Sequence, residues 1–308
     1  MDILLGPNVK QMEAIKNELG EDEDRFENNR KLLQKWISCQ PHLPQNYDPG
    51  MLRVFLRGCK HNLERAKKKI EAYFVARLTI PEFYACRNPT VEELENAFQC
   101  VHILPLSKLT NEGHRVTILK LASTDPSDFD IKTILRLLFM IADIRTAEEQ
   151  PIAGDVFIYD TSGLTAEHCV RFISPLVKKA VMLAHNIYPQ RLHKVHIVNA
   201  SPLGERLLQF TKSLLKEKLR NRFIVHKTPD TLLEYVPKDV LPVEYCGTEG
   251  SLNELISTWT KCILAHAEWF QTQENVKAST TIPSSVIHAC GLEDGLGIQG
   301  SFRQLAID

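Results

Sequence analysis

Residues 188–252 read YPQRLHKVHIVNASPLGERLLQFTKSLLKEKLRNRFIVHKTPDTLLEYVPKDVLPVEYCGTEGSL. KVHIVNA (194–200) is a short run rich in β-branched residues and bounded by turn chemistry, which predicts a strand. In PLGERLLQFTKSLLKEK (202–218), Leu203, Leu207, Leu208, Leu214 and Leu215 fall on one side, with Glu205, Arg206, Gln209, Lys212 and Lys216 largely opposite. That spacing predicts an amphipathic helix from Leu203 to Glu217. RFIVH (222–226) predicts a second strand, and LPVEYCG (241–247) closes the unit with a turn. Strand, covering helix, strand is the repeating unit of a parallel sheet.

The same texture extends towards the N-terminus. VHIL, RVTILKLA and DVFIYD are further short β-rich runs, separated by longer helical patterns, so a mostly parallel or mixed sheet covered on both faces is expected. FDIKTILRLLFMIADIRTAEE (129–149) places apolar residues on most of a helix circumference, and such a helix must be buried. The first ninety residues read as short helices broken by PHLPQNYDPG, with Leu63, Ala66, Ile70, Phe74 and Leu78 at helical spacing before Ile80-Pro81 stops the run. After Trp269 the chain turns Ser/Thr-rich, and GLGIQGSFRQLAID regains apolar residues, which predicts a docking tail. The expected class is α/β, with an N-terminal helical bundle over 1–95, an α/β/α domain over 96–252, and a C-terminal helix with its tail over 253–308.

Composition excludes more than it selects. A formal charge of -1 over 308 residues provides no bulk attraction to nucleic acid or anionic membranes, so an electrostatic partner must be met by a local patch. The eight cysteines stand singly, without CxxC or zinc spacing, as free thiols in a reducing compartment do. The opening MDILLGPNVK does not resemble a signal peptide, and no apolar run approaches the ~20 residues that span a bilayer, so a cytoplasmic protein is expected. There is no GxSxG, P-loop, GxGxxG or HExxH, and His193 and His196 alternate about Val195 as strand residues do. No enzyme, cofactor or metal is expected.

The ordered combination of KVHIVNA, the amphipathic helix and LPVEYCG, preceded by FLRGCKHNLERAKKKIEAYF (55–74), resembles the CRAL-TRIO lipid-binding family. The likeness is greatest to the branch containing α-tocopherol transfer protein and its insect relatives, whose features RLTIPEFYACRNP and GSFRQLAID resemble. The resemblance implies a helical N-terminal module, a lipid domain with a mobile gate helix, and an apolar pocket. One departure stands out: the family usually has two glycines after LPxEY, and here Cys246 takes the first place before Gly247. If that place requires positive φ, cysteine is strained there.

Carried over residue by residue, the resemblance implies pocket positions at Ile134, Leu137 and Ile141 on the buried helix, Tyr159 on DVFIYD, Leu183 on the following helix, and Val195 on KVHIVNA. Leu208 and Leu215 belong to the gate and face the pocket or a membrane. In α-tocopherol transfer protein the places matching Leu137 and Ile141 resemble serines near the ligand's ring end, which counts against tocopherol itself. Arg191, Lys218 and Arg222 match three basic positions that bind phosphoinositide headgroups. The fourth match is Cys59, with Lys60 beside it as a substitute.

The resemblance therefore implies an intracellular lipid-transfer protein. It would hold one hydrophobic molecule (a tocopherol, retinoid, carotenoid or other terpenoid) and exchange it, through transient peripheral contact, at phosphoinositide-containing membranes. A lipid-sensing regulatory module that binds a protein partner, and a phospholipid-exchanging relative, are the competing readings.

Overall fold

A computed structural model describes residues 3–127, 129–290 and 292; the expected docking tail GSFRQLAID lies outside the described residues. Six helices lead the chain: α1 (Val9–Leu19), α2 (Glu23–Ser38), α3 (Met51–Gly58), α4 (Leu63–Thr79), α5 (Pro81–Tyr84) and α6 (Glu92–Cys100). Their starts follow local chemistry. Asn8 and Gln11 form a reciprocal capping box, Asp22 and Asn62 accept from backbone amides three residues on, and Pro81 occupies the first turn of α5. The expected boundary at residue 95 falls inside α6.

The rest alternates: β1 (Val101–Leu109), β2 (His114–Leu121), α7 (Ile131–Glu148), β3 (Gly154–Asp160), α8 (Ala166–Phe172), α9 (Pro175–Asn186), β4 (Leu192–Val198), α10 (Pro202–Ser213), α11 (Glu217–Arg220), β5 (Phe223–Val225), then α12 (Leu252–Ala265), α13 (Ala267–Gln273) and α14 (Ser284–Ala289). The strands form one sheet in the order β1-β2-β3-β4-β5, with β1 antiparallel to β2 and the other pairs parallel. The α/β class, the mixed sheet and the helical N-terminal module are as the sequence predicts. Ser174-Pro175 and Ser201-Pro202 both place a capping serine before a first-turn proline, which fixes where α9 and α10 begin.

One helix is shorter than its periodicity predicts. α10 ends at Ser213, Lys216 is extended (ψ 149), and the Arg220 Nε–H donates to the Leu215 carbonyl at 2.8 Å. The guanidinium thus takes the oxygen that a continuing helix would have used. Leucine spacing carried on past this break, which is why periodicity alone runs the helix to Glu217.

Two close approaches lock the layers together. A Cβ at Gly58 would lie 1.9 Å from the Pro189 carbonyl oxygen, so α3 meets the start of the β4 strand backbone to backbone. A Cβ at Gly247 would lie 1.8 Å from the Leu241 oxygen, so only glycine fits that turn. Cys246 before it is left-handed at φ +62, the strained geometry anticipated if the place requires positive φ.

Candidate ligand cavity and its basic mouth

The side chains of alternate strand residues share one face, and the register sets them in two rows. Thr117, Phe157, Val195 and Phe223 stand side by side, and Leu119, Tyr159 and Ile197 form the next row. Over this floor lie α7, contributing Ile134, Leu138 and Ile141; α9, contributing Val177, Val181 and Ala184; and the α10 segment, contributing Leu207, Leu208 and Leu215. Between floor and helices is a cavity of about 810 Å³. That is the size range of a small-molecule site, and an apolar wall favours occupants by area removed from water, about 25 cal/mol per Å².

Of the expected pocket residues, Ile134, Ile141, Tyr159, Val195, Leu208 and Leu215 line the cavity. Leu137 and Leu183 do not: both are buried among other core side chains. The reason is helical phase. The wall face of α7 carries 134, 135, 138, 139, 141, 142 and 145, and residue 137 points about 120° away from the middle of that face; on α9 the wall carries 177, 180, 181, 184 and 185, with 183 about 130° from its middle. Leu208 closes over the sheet in a small cluster with Val195 and Ile197.

The cavity opens at the N-terminal ends of β4 and β5, where Lys60, Arg191, Lys218 and Arg222 all border it, joined by Arg65. Gly58 against Pro189 brings the α3 end to the strand that follows Arg191, and Lys60 is left-handed at φ 50 just beyond. Cys59 itself is buried in the N-terminal core, where burial raises its thiol pKa; Lys60 reaches the mouth. Lys218 and Arg222 form no ion pair among the described residues, whereas Arg191 and Lys60 share Glu18 of α1 at 2.8 and 3.1 Å. The hydrogen bond from Arg191, then that from Lys60, holds the Glu18 carboxyl at about 2. Glu18 was not singled out in the sequence, because an acid in VKQMEAIKNEL carries no sign of what will approach it.

Asp160, at the opposite end of β3, was missed for the same reason. Its carboxylate accepts from Asn199 at 2.9 Å, Lys120 at 2.8 Å and the Tyr245 hydroxyl at 2.8 Å, so the tyrosine of LPVEYCG ties its turn to the sheet. Burial alone would raise its pKa, but these bonds, with that from Asn199 foremost, hold it at about 2.

Among the described residues there is no group of three or more His, Cys, Asp or Glu that could hold a metal, and no helix long and apolar enough to cross a membrane. Cys39, Cys59, Cys86, Cys169, Cys246, Cys262 and Cys290 are free thiols.

Residues 101–247 match the model of the CRAL/TRIO domain, and residues 22–94 match that of the Pinta-like UBA domain. The α-tocopherol transfer protein-like proteins of Mus musculus and Homo sapiens are 25% identical over 266 residues, which cover 83% of this chain and 76% and 77% of those proteins. Clavesin-2 of Homo sapiens is 24% identical over 275 residues, covering 88% of this chain and 83% of its own. The crystal structure of Sfh5 superposes with a TM-score of 0.48 at 15% identity, over 76% of this chain and 92% of that one, a likeness too loose to build on. Residues 101–247 thus form a domain of the CRAL/TRIO kind, with relatives about 25% identical over most of the chain. A domain of this kind supports the binding or transfer of a lipophilic ligand.

Proposed function

We propose that this protein is a lipid carrier: it holds one hydrophobic molecule of the terpenoid kind in the cavity and exchanges it at a phosphoinositide-bearing membrane. The observation that supports this most is the conjunction of an 810 Å³ apolar cavity with a mouth bordered by Lys60, Arg65, Arg191, Lys218 and Arg222. A near-neutral chain needs such a local patch to find an anionic surface, and Lys218 of α11 and Arg222 just before β5 put part of it directly after α10. In this reading Ile134, Ile141, Tyr159, Val195, Leu208 and Leu215 contact the ligand. Arg191, Lys218, Arg222 and Lys60 receive the headgroup, and α10 moves as the gate. No reaction is required of any residue.

Transfer of a fluorescent terpenoid between vesicles by the purified protein tests the proposal. Ligand movement that accelerates with phosphoinositide in the acceptor vesicles is the expected result. Ligand-dependent binding of a protein partner with negligible transfer would instead establish a lipid sensor.

A further inference from the structure

The two rows of the floor, Thr117, Phe157, Val195 and Phe223 with Leu119, Tyr159 and Ile197, are apolar except at two hydroxyls. Thr117 Oγ1 is buried without a hydrogen-bond partner in a residue only 4% exposed, and Thr117 lines the cavity. The Tyr159 hydroxyl likewise makes no hydrogen bond among the described residues; burial alone raises its pKa to about 12, with no partner contributing. The other wall hydroxyls are occupied: Thr161 and Thr211 bond backbone carbonyls at 2.9 Å, and Tyr188 bonds Asp143 at 2.8 Å.

Leaving a buried hydroxyl unpaired costs about 1–3 kcal/mol, and valine would fill the Thr117 site with the same shape and none of that cost. Thr117 lies opposite Phe157, two residues before Tyr159 on the neighbouring parallel strand, so the two hydroxyl-bearing side chains are diagonal neighbours on one face. The charges that reach the wall nearby are already balanced: Lys120 by Asp160, and Arg145 by Glu149 and Asp155. An ionised ligand head would find no free cation there, whereas a neutral oxygen would find two free hydroxyls.

We infer that the bound molecule is an oxygenated isoprenoid or similar neutral lipid, whose single hydroxyl or carbonyl oxygen hydrogen-bonds Thr117 and Tyr159 inside the cavity, and that these two residues select it over the matching hydrocarbon. This rests on the carrier reading and narrows its ligand. Bare hydrocarbons are thereby disfavoured, and the hydrocarbon remainder is left to the apolar wall.

Competitive displacement of bound diphenylhexatriene tests it, with phytanol and phytane as competitors sharing one C20 skeleton. The preference for phytanol over phytane is compared between wild type, Thr117→Val and Tyr159→Phe, so that differences in the compounds' aqueous behaviour cancel. The preference should fall about threefold to tenfold in each variant, while the unliganded Thr117→Val protein melts no lower than wild type. An unchanged preference with both compounds still displacing the probe would overturn the hydroxyl assignment and leave the carrier standing. A protein that takes up neither the probe nor either competitor would overturn the carrier reading itself.

Discussion

Glu18 and Arg191 are joined at 2.8 Å across the mouth of the cavity, and Lys60 reaches the same carboxylate oxygen. In the proposed reading the acid of α1 competes with an anionic headgroup for Arg191 and Lys60, while Lys218 and Arg222 form no ion pair among the described residues. Charge-assisted bonds are worth roughly 1.5–3 kcal/mol, so Arg222→Ala should weaken binding to phosphoinositide vesicles about tenfold, and more at low salt. Glu18→Gln should strengthen it severalfold by removing the internal competitor. Vesicle co-sedimentation measures both; equal binding by wild type, Glu18→Gln and an Arg191, Lys218, Arg222 triple alanine variant would reduce the patch to a solvated surface.

A Cβ at Gly204, in the first turn of α10, would lie 2.8 Å from Thr161 Oγ1, which is itself pinned by a hydrogen bond to the Asn199 carbonyl at 2.9 Å. Gly204→Ala should therefore lift the start of α10 from the body of the domain and speed ligand release severalfold without changing which ligand is bound. Stopped-flow release into excess acceptor vesicles measures the rate. An unaltered rate would argue that α10 is a fixed wall.

At the turn after LPVEY, Cys246 bears left-handed strain worth about 1–2 kcal/mol, part of which glycine gives back through the entropy of its unfolded chain. Cys246→Gly should raise stability by about 0.5–1 kcal/mol and Cys246→Ala should not, since alanine keeps the Cβ. Gly247→Ala should lose about 3 kcal/mol or more, because its methyl would enter the Leu241 carbonyl. Urea denaturation midpoints separate the three.

Behind the floor, His196 Nδ1 lies 2.8 Å from His226 Nε2, and His226 Nδ1 lies 2.6 Å from Thr231 Oγ1. The Thr231 hydroxyl donates to the Thr228 carbonyl, so His226 Nδ1–H donates to Thr231, and the contact between the two imidazoles is a hydrogen bond only while at least one of them is neutral. Burial, then His226, lowers the His196 pKa from 6.5 to about 4; Lys194 and His193 act in the same direction, while Glu234 opposes the shift at His226 and Tyr235 packs its ring on both. A depressed pKa means that the unfolded chain takes up a proton the folded one refuses. The stability from the neutral His196 is therefore complete above about 6.5 and lost as pH falls towards about 4, on the order of 3 kcal/mol. His196→Gln should flatten the fall in stability between neutral and mildly acid pH, and an identical slope in the variant would clear the pair of that role.

How far these features were legible follows from what each depends on. The five strands and the buried α7 were readable because β-branched runs and unbroken apolar periodicity are local. The starts of α9 and α10 were written in Ser-Pro pairs. A helix apolar on nearly every side carries no phase, so Leu137 could not be told from Ile134 and Ile141 before the sheet was in place. The break after Ser213 depends on where the Arg220 side chain turns, and the pairing of Glu18 with Arg191 depends on Gly58 meeting Pro189. Both are tertiary events. Thr117 reads as any strand threonine until its neighbours are known.

The central claim is that the space between the sheet and α10 holds a lipid, and native mass spectrometry of the protein purified from its own tissue tests it most directly. One noncovalent mass increment, extractable into organic solvent and belonging to a neutral oxygenated lipid of roughly twenty or more carbons, is the predicted result, since a cavity of about 810 Å³ has room for it. A protein that runs at its bare mass, and takes up none of the terpenoids then offered to it, would contradict the claim.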